Sequence, residues 1–355
     1  MKSIEDRNKM IFFQHSLRNV MTWLLNPRTK YLDIDGDHIV QMIADHLNRS
    51  YRLLDPCMFE SRTVIKKVKP FDSGMYLNHD FEYLHPIVDL YEFVNEHLKP
   101  YVSSFFLHGS LATLDYCRGW SDVDTFVVVS KRTLHDKASF VHFRKKCIEA
   151  YDYLLTMDPL QHHGLIFVTE YDLECYPSIF MPLRVFDYAI SLLDNSDNIV
   201  FNIRASRDEA LNGMRSRHRT FAAAAKTGIL KHHAYQGEYL LGEFRNSQNA
   251  MYQLKYLLDQ ILIFPSYFLE MMGQPCYKGK SFVRCAPFFD PETWQIVEKA
   301  TEVRAFWPNY EKRPYQGNSI PVWVQKIVGP NYLEKSFRLI DAMMRKFEQA
   351  KGALP

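Results

Sequence analysis

The stretch "FFLHGSLATLDYCRGWSDVDTFVVVS", Phe105 to Ser130, decides how this chain is read. An apolar run ends in Gly109-Ser110, and after eleven residues Asp122-Val123-Asp124 opens a second apolar run. Side chains two apart on a strand point to the same face. The spacing therefore predicts that Asp122 and Asp124 stand side by side at the mouth of a buried strand, with Val123 turned into the opposite layer. Two neighbouring carboxylates repel, and each is costly to desolvate without a compensating cation. Mg²⁺ meets that need, because it takes one or two carboxylates and shares phosphate oxygens of a substrate.

Gly109-Ser110 supplies the complementary half. A glycine lets the backbone approach a phosphate closely, and a turn that opens a helix aims free N–H groups at an anion. Ser110 adds a hydroxyl donor. Taken alone, the Gly-Ser pair is an ordinary turn and Ser121-Asp122 an ordinary cap. Together, at this spacing and between two strands, they form one phosphate- and metal-binding unit.

Leu107-His108-Gly109-Ser110, then eleven residues, then Asp122-Val123-Asp124-Thr125-Phe126 resembles the polymerase-β-type nucleotidyltransferase superfamily, over residues 100 to about 175. The resemblance implies an α+β fold: a small mixed-sheet nucleotidyltransferase core flanked by N-terminal and C-terminal helical regions. It implies transfer of a nucleoside monophosphate from an NTP, expected to be ATP, to an acceptor hydroxyl, with pyrophosphate leaving. Asp122 and Asp124 would hold Mg²⁺, with Mn²⁺ as the alternative, and Gly109 and Ser110 would hold the β,γ-phosphates. A small molecule is the expected acceptor. A toxin-like transferase acting on tRNA or protein, or an inactive nucleotide-binding module, are the alternatives.

The resemblance also implies a third carboxylate near the start of the next strand, parallel to the Asp-x-Asp strand. The strand "GLIFVTEYDL" begins at Gly164, and its start is Gln161-His162-His163, with no acid. Three completions stay open. Glu170 or Asp172, at the far end, serves if the register is unusual; His163 or His162 replaces the acid, since imidazole is a metal ligand; or the pair works alone. Glu170 ranks slightly ahead of His163. In antibiotic nucleotidyltransferases a helical-domain acid can act as general base, which makes Glu238 and Glu243 candidates.

Around this core, 355 residues suffice for two or three domains. We expect a mainly helical region over 1–100, the core over 101–200 and a helical domain over 201–355. "HPIVDLYEFVNEHLKP" reads as a helix with Pro86 in its first turn and a stripe of Ile87, Leu90, Tyr91, Val94 and Leu98. A helix is expected from Lys137 to about Thr156, capped by Asp136. Near the C-terminus, Phe337, Ile340, Met344 and Phe347 mark a last helix, and Pro265 should kink the long helix before it.

The formal net charge of +2 sets up no global field toward nucleic acid or membrane, so nucleic acid is not favoured as a partner. The six cysteines form no CxxC pair and read as reduced thiols of a cytoplasmic protein. The first 25 residues lack the h-region and cleavage site of a signal peptide, and Leu257 to Met272 is too short and too polar to span a bilayer. "GQPCYKGKS", Gly273 to Ser281, has one residue too many for a P-loop. Its Lys278 and Lys280 are candidate cations for the triphosphate. "DIDGD", Asp33 to Asp37, has its glycine misplaced for a calcium loop and reads as a turn into a helix. "RSRHR", Arg215 to Arg219, reads as a solvated helix face.

Overall fold

The computed structural model describes residues 4–26, 37–55, 61–157, 164–177, 180–194, 198–204, 208–232, 237–240, 250–307 and 320–350. The chain divides into two compact units, Met1–Tyr116 with Ser121–Ala205, and Cys117–Trp120 with Ser206–Pro355. The boundary expected near residue 200 falls between them. The one expected near residue 100 has no counterpart, because the N-terminal helices share a core with the sheet.

In chain order the first unit carries α1 (Ile4–Leu25), α2 (Asp37–Tyr51), β1 (Ser61–Lys67), β2 (Lys69–Pro70), α3 (Ser73–Phe93), β3 (Val102–His108), α4 (Gly109–Thr113), β4 (Asp124–Val129), α5 (Lys131–His135), α6 (Lys137–Met157), β5 (Phe167–Thr169), α7 (Glu170–Glu174), β6 (Ile190–Ser191) and β7 (Asn198–Arg204). Five strands form a mixed sheet in the order β2-β6-β3-β4-β5. β3 pairs antiparallel with β4, and β4 pairs parallel with β5. A separate antiparallel ribbon joins β1 to β7. Neither β1 nor β7 was expected from the sequence.

Alternation along β3 and β4 sorts their side chains into two layers. Phe105, Leu107, Val127 and Val129 join the core made with α1, α2, α3 and α6. Phe106, Phe126 and Val128 join a second core with Phe186 and, from β7, Ile199, Phe201 and Ile203. Phe126 meets the Phe186 ring edge-on at 4.8 Å. A fully buried aromatic of this kind contributes roughly 2–3 kcal/mol. Thr125 is the exception on the helical face: it is fully buried and its Oγ1 has no hydrogen-bond partner. A buried hydroxyl left unsatisfied costs more than an apolar group of the same shape. Thr125→Val is therefore expected to raise stability by about 1 kcal/mol; a lower urea midpoint in the variant would contradict this.

Three local expectations are corrected. Pro86 lies inside α3, not in its first turn. The helix starts at Ser73, and Asp80 breaks it with non-helical φ/ψ, its carboxylate accepting from Tyr83 N at 3.3 Å to cap the segment that follows. Pro86 lacks an N–H for Glu82 O, and the His85 ring nitrogen lies 3.3 Å from that carbonyl instead. The third core strand is only Phe167–Thr169, because Thr169 and Asp172 form a reciprocal capping box that starts α7. Asp172 is fully buried and also accepts from Gln14 Nε2 at 3.0 Å and Tyr51 OH at 3.3 Å. Burial and the Asp172 charge push the Tyr51 phenol well above its ordinary value. In the last helix, Met343 rather than Met344 is buried. The capping of α6 by Asp136 is as expected, Ala138 N donating to its carboxylate at 3.1 Å.

The second unit carries α8 (Asp208–Thr227), the hairpin β8 (Ile229–His232) and β9 (Gly237–Leu240), α9 (Ala250–Met271), α10 (Lys278–Cys285), α11 (Pro291–Phe306), α12 (Val322–Val328) and α13 (Tyr332–Ala350). α13 runs back along α8, with Arg215 beside Glu348 and His218 beside Asp341. No helix among the described residues is long and apolar enough to cross a membrane.

Candidate active site

The end of β3 and the start of β4 meet at one rim of the sheet, where His108 is the register partner of Asp124. Directly opposed residues on an antiparallel pair share a face. The imidazole of His108, buried and absent from the sequence-based candidates, therefore stands on the same face as the Asp124 carboxylate. The signal for it was present in the sequence as the residue before Gly109.

From Ser121 to Thr125 burial alternates: Ser121, Val123 and Thr125 are buried, Asp122 and Asp124 half-buried. That period of two keeps the two aspartates on one face, as the sequence predicts. Asp124 is fixed by the β4 ladder, whereas Asp122 lies just outside it. Val123 is fully buried in the helical-side core with Leu107 and Leu111.

Gly109 follows His108 with φ +71°, a conformation that side-chain-bearing residues rarely adopt. A Cβ built there would stand 2.2 Å from Asp124 Oδ2 and 3.1 Å from its Cγ. The carboxylate thus occupies the space that glycine leaves empty. α4 begins at Gly109, so the turn does open a helix, although one of five residues. Asp115 N donates to Ser110 O at 3.1 Å, and the Tyr76 hydroxyl donates to Leu111 O at 3.0 Å. These bonds pin the turn from both sides. Burial pushes the Tyr76 phenol up, so it stays a neutral donor.

The parallel pairing of β4 and β5 sets the height at which each candidate third ligand stands. Val127 is level with Phe167 and Val129 with Thr169. The height of Asp124 therefore corresponds to the residues at and before Gly164. His162 and His163 lie outside the described residues. Glu170 is one residue beyond Thr169, at the opposite end of the strands, roughly 20 Å along β4 from Asp124 at about 3.3 Å per residue. Its Oε2 accepts from Lys131 N at 2.6 Å. Asp172 follows in α7 and is committed to the capping box with Thr169. The structure does not bring Glu170 to the aspartate pair; it caps the start of α5.

Lys278 and Lys280 stand in the first turn of α10 rather than on a loose turn, in the second unit. Glu243 lies outside the described residues, and Glu238 falls on β9. Cys147 and Cys285 are buried thiols. Burial raises the Cys147 thiol well above its usual value and pushes Cys285 up to about 12, so neither is an activated nucleophile. Among the described residues no three His, Cys, Asp or Glu side chains gather as a metal cluster.

The donor set at the rim nevertheless suits a hard divalent ion. It consists of two half-buried carboxylates, one of them packed against the backbone of Gly109 where a Cβ would otherwise stand. No family model matches this chain, and no curated protein or solved structure was found to be similar to it.

Proposed function

We propose that the chain is a metal-dependent nucleotidyltransferase that moves a nucleoside monophosphate from an NTP to an acceptor hydroxyl on a small molecule. The observation that carries this reading is the seating of the Asp124 carboxylate against the backbone of Gly109, with Asp122 on the same face. An anion held by the turn would lie beside both carboxylates. The parallel β4–β5 pairing also agrees with the resemblance of the Gly-Ser and Asp-x-Asp segments to the polymerase-β-type superfamily.

In this reading Asp122 and Asp124 hold Mg²⁺, and Gly109 and Ser110 cradle the β,γ-phosphates of ATP or another NTP. When bound, the ion supplies charge neutralisation at the transferring phosphoryl group. The chain's own part is positioning: the β4 ladder and the glycine contact fix Asp124, and the turn's backbone donors orient the phosphates. A screen of the four NTPs with Mg²⁺ in cell extract, read as pyrophosphate release, tests the activity. Absence of metal-dependent pyrophosphate release with every NTP would sink it.

Glu170→Gln bears on the ligand set. Gln keeps an acceptor for Lys131 N, and the residue is far along the strand from Asp124. Turnover is expected to stay within about twofold of the parent, since no transition-state interaction is removed. A tenfold or greater loss at unchanged thermal stability would return Glu170 to the site.

A further inference from the structure

The basic run Arg215–Arg219 is more than a solvated face. Arg217 turns inward, its guanidinium 4.4 Å from the Tyr267 ring centroid and its Nη2 donating to the Tyr267 hydroxyl at 3.3 Å. Asn212, Arg215, His218 and Arg219 turn the other way and line a recess of about 450 Å³. This volume lies in the range of small-ligand pockets, roughly 300–1,000 Å³.

Arg215 and Arg219 are four residues apart on α8, so their side chains are neighbours, and like charges in that relation destabilise a helix. Compensation inside the protein is incomplete. Arg215 Nη2 lies 3.5 Å from Glu348 Oε1. His218 Nε2 lies 2.9 Å from Asp341 Oδ1, and Asp341 is shared with Arg345 at 3.0 Å. Arg219 has no ion-pair or hydrogen-bond partner among the described residues. The recess therefore presents two guanidinium forks, one uncompensated, with an amide and an imidazole beside them.

We infer that this recess on α8 binds a small diphosphate-bearing ligand, one phosphoryl group on each of Arg215 and Arg219, with Asn212, one turn before Arg215, donating to the group that Arg215 holds. Planar guanidinium forks match phosphate oxygens bidentately. A bounded recess whose described lining carries two arginines and one histidine, in a chain of net charge +2, favours a small ligand over the continuous stripe that a nucleic-acid backbone needs. The inference is independent of the nucleotidyltransferase reading.

Inorganic pyrophosphate in EDTA-containing buffer, followed by calorimetry, is the test. The parent should bind with a Kd at or below about 1 mM, more tightly than it binds orthophosphate or sulfate. Arg219→Ala and Arg215→Ala should each weaken binding at least tenfold, and Arg219→Lys less, with no loss of thermal stability in Arg219→Ala, which relieves the like-charge pair. Ser110→Ala, which alters the proposed catalytic turn, should leave this binding intact. No binding by the parent, or equal binding by both alanine variants, would overturn the inference. So would equal affinity for sulfate, or loss of binding in Ser110→Ala alone, which would assign the pyrophosphate to the turn. Tight binding of a single-stranded RNA 20-mer without pyrophosphate binding would identify a polyanion surface instead.

Discussion

Asp124→Asn is expected to lower turnover by at least about 10³-fold, the equivalent of roughly 4 kcal/mol of transition-state stabilisation. Asn matches Asp in shape and can keep its place on the β4 ladder opposite His108. It removes the negative charge that would hold a divalent ion, and it relieves the repulsion from Asp122. In metal-free buffer the variant should unfold at or above the temperature of the parent; Asp122→Asn should behave the same way. Near-parental turnover in both variants would remove the aspartates from the chemistry. Clear destabilisation would make them structural.

Gly109→Val should cost about 3 kcal/mol of stability, combining left-handed strain with overpacking, and should abolish nucleotide turnover. Two effects need separating, and Gly273 allows it. Gly109 and Gly273 both have φ +71°, but a Cβ at Gly273 meets nothing within 4 Å. Gly273→Ala therefore measures the backbone strain alone, on the order of 1–2 kcal/mol. Gly109→Ala adds the collision with Asp124, which can be relieved only by moving the carboxylate. Its excess destabilisation over Gly273→Ala, together with loss of activity, is the signature of the glycine–carboxylate contact. Equal effects at the two sites would show that Asp124 yields freely and is not held by the turn.

Much of the rim was legible in the sequence because its signals are local. The period of two across Ser121–Thr125 and the Gly-Ser turn each span only a few residues, as does the Asp136 cap elsewhere in the first unit. The Thr169–Asp172 capping box was equally local, yet the apolar run before it read on as strand, which left Glu170 at a strand's end instead of in a helix. Pro86 was misread for a related reason: a proline near an apolar stripe resembles a helix start, but Asp80 already caps that segment from six residues upstream. The distance of Glu170 from the aspartates could not be read locally at all. It depends on whether β5 runs parallel to β4, and only the assembled sheet fixes that. His108 became visible for the same reason, through register rather than motif.

The β1–β7 ribbon sets an order on how the molecule forms. Thr63 and Asn202, whose side chains bond at 2.9 Å, are 139 positions apart. Such a closure carries a large loop entropy and comes late in folding. During synthesis β1 must wait for almost all of the first unit to emerge before β7 exists to pair with it. Ile199, Phe201 and Ile203 of β7 cover Phe126 and Val128, on the face that also bears the aspartates. That face is thus the last to be closed. A chain interrupted before residue 198 would expose its aromatic layer, making this surface the point at which a nascent or truncated molecule is most prone to aggregate.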